Sequence, residues 1–281
     1  MENEFAIGVF DSGIGGLSVL KQLLKYLPNE KYIYLGDTAR VPYGNKSENA
    51  VRIYAKECTE FFLEKNVKLI IIACNTVSAV ALSTVREIAK KPVIGMIMPA
   101  AEAALHTTKN NKIGIIGTRA TIKSDAYNEA ILNLNENKKN LQIYTKACPL
   151  FVPIVEEGWF EHKASKLIAK EYLNEILKFN IDTLVMGCTH YPMLFNLITK
   201  ITKNIKLIDS GEQAAIKTLK LFAEKNLFSI DSVENIENKI ENEKIEFYFT
   251  DEPSIFPRMS NSILGFEVKK FNIINLKKQL N

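Results

Sequence analysis

Two short stretches place a cysteine where a strand of buried-type aliphatics ends. One reads Leu69-Ile70-Ile71-Ile72-Ala73-Cys74-Asn75-Thr76, the other Thr183-Leu184-Val185-Met186-Gly187-Cys188-Thr189-His190. At a junction between a parallel strand and a helix, backbone N–H groups point at the side chain and the helix dipole favours negative charge. A thiol there gains thiolate character. Threonine stands two residues after Cys74 and directly after Cys188, where it can cap a helix or donate a hydroxyl, and Asn75 adds an amide. All three suit a carboxylate ligand. A lone strand-end cysteine is most often a small apolar filler, but two in matched contexts point to a two-thiol enzyme. Cys58, on the helical face 54–62, and Cys148, before Pro149, lack that context and read as core.

Asp11 opens a glycine-rich turn, Asp11-Ser12-Gly13-Ile14-Gly15-Gly16, where an acid either caps the next helix or acts on a ligand. His190 could set the proton affinity of Cys188, or be satisfied by backbone at a helix start. Pattern alone does not select Glu156, which reads equally as a surface acid. The glycines invite a dinucleotide reading, but GIGG lacks the GxGxxG spacing, no Walker-type GK[ST] occurs, and Asp11 would repel phosphate.

The elements that must carry these residues alternate short β-rich runs with amphipathic helical stretches, which predicts parallel sheets built from βαβ units. Strands are expected over 5–10, 32–36, 68–73, 93–96, 112–117, 182–187 and 205–208, and helices over 17–27, 46–65, 77–90 and 124–134. Residues 209–211 read as a turn before a helix over 212–222 that returns to the first unit. Residues 229–244, charged and Asn-rich, read as a solvated connection, and 245–249 (IEFYF) as an added strand.

The pattern starts twice. Cys74 and Cys188 lie 114 positions apart, and the turn openers Asp11 and Thr118 lie 107 apart, a weak but consistent internal repeat. The fold class expected is therefore α/β, with two pseudo-symmetric, doubly wound parallel-sheet domains: 1–98 with 210–281, and 99–209. Open α/β sheets bind ligands at their carboxyl ends, so the site belongs in the cleft between the domains.

The 36 Lys+Arg against 32 Asp+Glu give a scattered net charge of +4, which does not imply nucleic acid. The longest apolar stretches, around 69–73 and 93–104, fall short of the roughly 20 residues of a membrane span. MENEFAIGVF enters a strand pattern at once, unlike a signal peptide, so a cytoplasmic protein is expected. The four cysteines show no CxxC spacing, and His106, His162 and His190 are not spaced from them as in a zinc finger, so neither disulfides nor a metal is expected.

Six stretches resemble the cofactor-independent glutamate racemases of the aspartate/glutamate racemase superfamily. They are FDSGIGGLSV at 10–19, GDTARVPYG at 36–44, ACNT at 73–76, GTRAT at 117–121, CPLFVPIVEEG at 148–158 and GCTHYP at 187–192, in family order. After about residue 225 nothing matches.

The resemblance implies interconversion of L- and D-glutamate without pyridoxal phosphate or metal, one thiolate taking the α-proton and the opposite thiol returning one to the other face. Cys74 would act on D-glutamate, assisted by Asp11, and Cys188 on L-glutamate, assisted by His190 with Glu156. Asp11, Ser12, the Pro42-Tyr43-Gly44 backbone, Asn75, Thr76, Thr118, Thr121, Thr189 and His190 would hold the substrate. It also implies supply of D-glutamate for peptidoglycan and a possible homodimer. The alternatives are an aspartate racemase, which typically carries an acid where His190 stands, and a non-catalytic small-anion-binding α/β protein.

Overall fold

The computed structural model describes residues 4–135, 140–229 and 244–276. Strand and helix alternate from the start: β1 (Ile7–Asp11), α1 (Leu17–Tyr26), β2 (Tyr32–Gly36), α2 (Glu48–Glu64), β3 (Leu69–Ile72), α3 (Asn75–Val80), α4 (Leu82–Ala89) and β4 (Val93–Gly95). Helix α5 (Ile97–Thr107) leads into β5 (Lys112–Gly117), α6 (Arg119–Lys123), α7 (Ala126–Leu134), β6 (Gln142–Ala147), α8 (Phe151–Glu156), α9 (Lys163–Leu177), β7 (Thr183–Gly187), α10 (Phe195–Thr202) and β8 (Lys206–Asp209). Then come α11 (Ser210–Lys225), β9 (Ile245–Phe249), α12 (Phe256–Leu264) and β10 (Asn272–Ile273).

Two parallel sheets result, one ordered β10-β9-β2-β1-β3-β4 and the other β6-β5-β7-β8. The run β2-β1-β3-β4 has the same order as β6-β5-β7-β8, so the repeat legible in the sequence is a repeat of topology. It makes β3 and β7, the two strands that lead to cysteine, equivalent. Both are buried along their whole length, as expected of parallel strands covered by helices on both faces. The IEFYF strand extends the first sheet, with β9 pairing in parallel to β2.

Helix α2 starts at Ser47, whose hydroxyl accepts from the Ala50 N–H at 3.3 Å. It buries Val51, Ala55, Cys58 and Phe62, one face at helical spacing. Cys58 and Cys148 are both fully buried.

The structure corrects two expected elements. The helix predicted over 77–90 is two helices that part at Ala81, with neither Gly nor Pro to mark the break. Ser78 explains it: its hydroxyl donates to the Ile72 carbonyl at 2.9 Å and accepts from the Met96 N–H at 3.1 Å, tying α3 to two strand ends. Helix α4 then turns away to pack on α2. The turn predicted at 209–211 is instead the start of α11, where Asp209 Oδ1 caps the Gly211 and Glu212 N–H groups at 2.8 and 3.4 Å. Helix α11 packs on both α1 and α5. Of the solvated connection expected over 229–244, residues 230–243 lie outside the described residues.

At the end of the first sheet away from the cysteine, Lys68 Nζ sits 2.6 Å from Glu30 Oε2, with side chains only 3% and 2% exposed. Glu30 Oε1 also accepts from the Ser229 N–H, and Lys68 donates to the Leu227 carbonyl. Breaking such a pair leaves a buried charge uncompensated. Lys68→Met is expected to lower unfolding stability by about 3–5 kcal/mol, and Lys68→Met with Glu30→Leu to recover most of the loss, read by urea denaturation.

Candidate active site

The carboxyl ends of the two sheets enclose a cavity of about 330 Å³. Ser12, Pro42, Tyr43, Gly44, Cys74, Asn75 and Thr76 line it from the first sheet's loops, and Thr118, Glu156, Cys188, Thr189 and His190 from the second's. Of the residues expected at the site, Asp11 and Thr121 do not line the cavity. Both stand just behind its wall, and both are buried.

Each thiol meets a different environment. Cys74 precedes α3, with its Sγ 3.6 Å from Ser12 Oγ. Burial first, then the nearby Asp11 carboxylate, push its thiol up to about 12, against the Val77 N–H and the Ser12 hydroxyl. Cys74 therefore keeps its proton at neutral pH. Asp11 Oδ2 accepts from the Gly13 N–H at 3.0 Å, while Oδ1 has no hydrogen-bond partner among the described residues. Burial raises the Asp11 carboxyl, against the charge of His190 and the N–H groups of Gly16, Gly13 and Ser12.

On the other side Cys188 Sγ lies 3.9 Å from His190 Nδ1, and His190 Nε2 lies 3.1 Å from Glu156 Oε1. Burial opposes charge on this imidazole, but Cys188 and Glu156 together outweigh it and lift His190 to about 10. An imidazolium at neutral pH is the counter-charge that a sulfur anion needs. Glu156 ends α8, and its carbonyl accepts from Arg258 Nη2 of α12 at 2.9 Å. The glycine turn serves the same constellation. A Cβ at Gly15 would stand 2.4 Å from the His190 ring, so only glycine lets the first sheet's turn pack against it.

Polar groups for a carboxylate converge between the thiols. The hydroxyls of Thr76, Thr118 and Thr121 lie within 3.0–3.2 Å of one another, joining α3 of the first half to the Thr118 turn of the second. The Asn75 amide is held from both ends: Tyr127 OH donates to Oδ1 at 2.6 Å, and Nδ2 donates to Ser210 Oγ at 3.2 Å. Chemically, the arrangement can hold an anion, with a thiol contributed by each sheet.

Comparison with known proteins agrees with this geometry. The sequence model of the Asp/Glu/Hydantoin racemase family matches residues 7–218. The chain belongs to that family. Among its relatives in the racemase family, a glutamate racemase of Sulfurihydrogenibium sp. is 46% identical over 261 residues, covering 92% of this chain and 94% of the relative. The glutamate racemase of Chlorobaculum tepidum is 51% identical over 231 residues, covering 82% and 84%. The crystal structure of glutamate racemase from Francisella tularensis in complex with D-glutamate superposes with a TM-score of 0.88 at 40% identity, covering 98% of this chain and 99% of that one.

Sequence reasoning passed over several residues of this racemase-family cavity. Arg119 reaches across its mouth, with Nη1 3.4 Å from Asn45 Oδ1, and Val41 and Leu150 supply apolar walls. Arg119 lies inside the quoted GTRAT stretch, yet neither type nor spacing distinguishes it from a surface arginine. Tyr127 and Ser210 were out of reach because their service to Asn75 exists only in the folded chain. Among the described residues no group of three or more His, Cys, Asp or Glu could hold a metal ion, and no helix is long and apolar enough to cross a membrane.

Proposed function

We propose that this chain interconverts L- and D-glutamate by proton transfer between two thiols, Cys74 and Cys188, supplying D-glutamate for peptidoglycan in a bacterial cytoplasm. The observation that carries the reading is that two cysteines at equivalent strand ends, one per sheet, line a single cavity together with Asn75, Thr76, Thr118 and Thr189. Inverting a stereocentre in place requires a base and an acid on opposite faces of Cα, and the repeat supplies one from each half. With L-glutamate, Cys188 beside the His190 imidazolium takes the α-proton as thiolate, and Cys74, which holds its proton, delivers it to the other face. With D-glutamate the roles reverse. The buried Asp11 carboxyl next to Cys74, and His190 with Glu156 next to Cys188, return the two sulfurs to the states the next turnover needs. Ser12, the 42–44 backbone, Asn75, Thr76, Thr118, Thr121 and Thr189 bind the carboxylates and ammonium.

The histidine at 190, where aspartate racemases typically carry an acid, favours glutamate over aspartate. Packing of α11 on α1 supports a first domain of 1–98 with 210–281 around a second of 99–209. Incubation with L-glutamate in deuterated water, without added cofactor, is expected to abolish the substrate's circular dichroism and place deuterium at Cα by NMR. No change with glutamate but turnover of L-aspartate would replace the substrate, and no change with either would leave the anion-binding alternative.

A further inference from the structure

The wall formed by Pro42, Tyr43 and Gly44 has almost no regular structure to hold it. It follows one single turn, Thr38–Arg40, and runs into a second, Tyr43–Asn45, outside any strand ladder. Its placement is nevertheless tight, since a Cβ at Gly44 would stand 2.8 Å from Thr118 Cβ in the opposite half. Side chains therefore fix it, and they converge on one carboxylate. Asp37 is fully buried. Its Oδ2 accepts from Arg40 Nε at 2.6 Å and from the Tyr43 hydroxyl, while Arg40 also pairs with Glu57 and lies 4.1 Å over the Tyr54 ring.

The other oxygen is held from the far end of the chain. Thr250, the residue after β9, donates its hydroxyl to Asp37 Oδ1 at 2.7 Å and accepts the Ala39 N–H at 2.9 Å. Next to it Thr38 donates to the Asp251 carbonyl at 2.6 Å and accepts the Asp251 N–H at 2.9 Å. Thr250 and Asp251 lie beyond the 7–218 that the family's sequence model matches.

We propose that Thr250, acting through Asp37, is a positioning residue that fixes the 42–44 wall, so that the C-terminal segment takes part in substrate binding. This rests on the racemase reading above for the identity of the substrate. The hydroxyl orients Asp37, Asp37 orients Tyr43, and the backbone of 42–44 meets the ligand in ground and transition states alike. Loss of the hydroxyl thus weakens binding uniformly and raises KM with little change in kcat.

The pair Thr250→Val, which keeps the shape and removes the hydroxyl, and Thr250→Ser, which keeps the hydroxyl, tests it. Thr250→Val, which removes both the bond to the Asp37 carboxylate and the acceptor of the Ala39 N–H, is expected to raise KM roughly tenfold, with Thr250→Ser close to wild type. The affinity for racemic glutamate, read by calorimetry at the equilibrium mixture, is expected to fall by the same factor. An unchanged KM and affinity in Thr250→Val, equal loss in both variants, or a fall in kcat alone would overturn the proposal. If the wild type turned over no substrate, the reaction assignment would fail, and the calorimetric comparison would still decide the role of Thr250.

Discussion

Replacing Cys74 by Ala, and separately Cys188 by Ala, is expected to lower kcat/KM by on the order of a thousandfold or more, because each removes a positioned acid–base group. Both directions must fall by the same factor in each variant. The two enantiomers have an equilibrium constant of unity, so the ratio of kcat/KM for L- and D-glutamate is fixed whatever the enzyme, and no substitution can make it one-way. The asymmetry shows elsewhere. Deuterium wash-in without inversion requires only the thiol on the face that carries the proton, so Cys74→Ala can exchange only L-glutamate and Cys188→Ala only D-glutamate. Chiral chromatography with NMR detection of Cα deuterium separates inversion from exchange. Turnover near the wild-type rate in either variant would end the two-thiol mechanism, and thermal unfolding close to wild type would show that the fold is intact.

What made the site legible in the sequence was position on strand ends. Cys74 and Cys188 sit where a buried aliphatic run stops, and burial on both faces leaves few ways to arrange such runs except as parallel strands with their loops at one edge. The repeat then implied that the two edges share a cleft. Thr76, Thr118 and Thr189 followed because they adjoin those turns. Glu156 did not, since it reaches His190, 34 positions on, only once α8 packs on the turn at 191–194, while Arg258 of α12 holds its carbonyl from 102 positions away. Side-chain relays of this kind leave no periodicity. The break at Ala81 was hidden for a related reason: propensity favours one helix there, and Ser78 bonding to two strand ends overrides it. Asp37 shows the limit most plainly, an acid in a turn whose partner Thr250 is 213 positions away.

Glu156→Gln is expected to move the alkaline limb of the pH–kcat/KM profile to lower pH. In the wild type, burial works against the His190 charge, and Cys188 with Glu156 hold it up to about 10. Removing the carboxylate deletes one of those supports, and an opposite charge at this range is worth roughly one to three pH units. The lower end applies, because the Glu156 side chain is 36% exposed and water screens part of the interaction. Stability must follow the same linkage. His190 has a folded value above its ordinary 6.5, so the pair's contribution is fully present below about 6.5 and is lost as pH rises through about 10. The two proteins lose this contribution in parallel until pH reaches the lowered His190 value of Glu156→Gln, and only from there up to about 10 should the wild-type unfolding midpoint fall relative to the variant's. A variant with the wild-type alkaline limb would mean that Glu156 orients His190 without setting its charge, and unfolding midpoints that stay parallel all the way up to about pH 10 would say the same of stability.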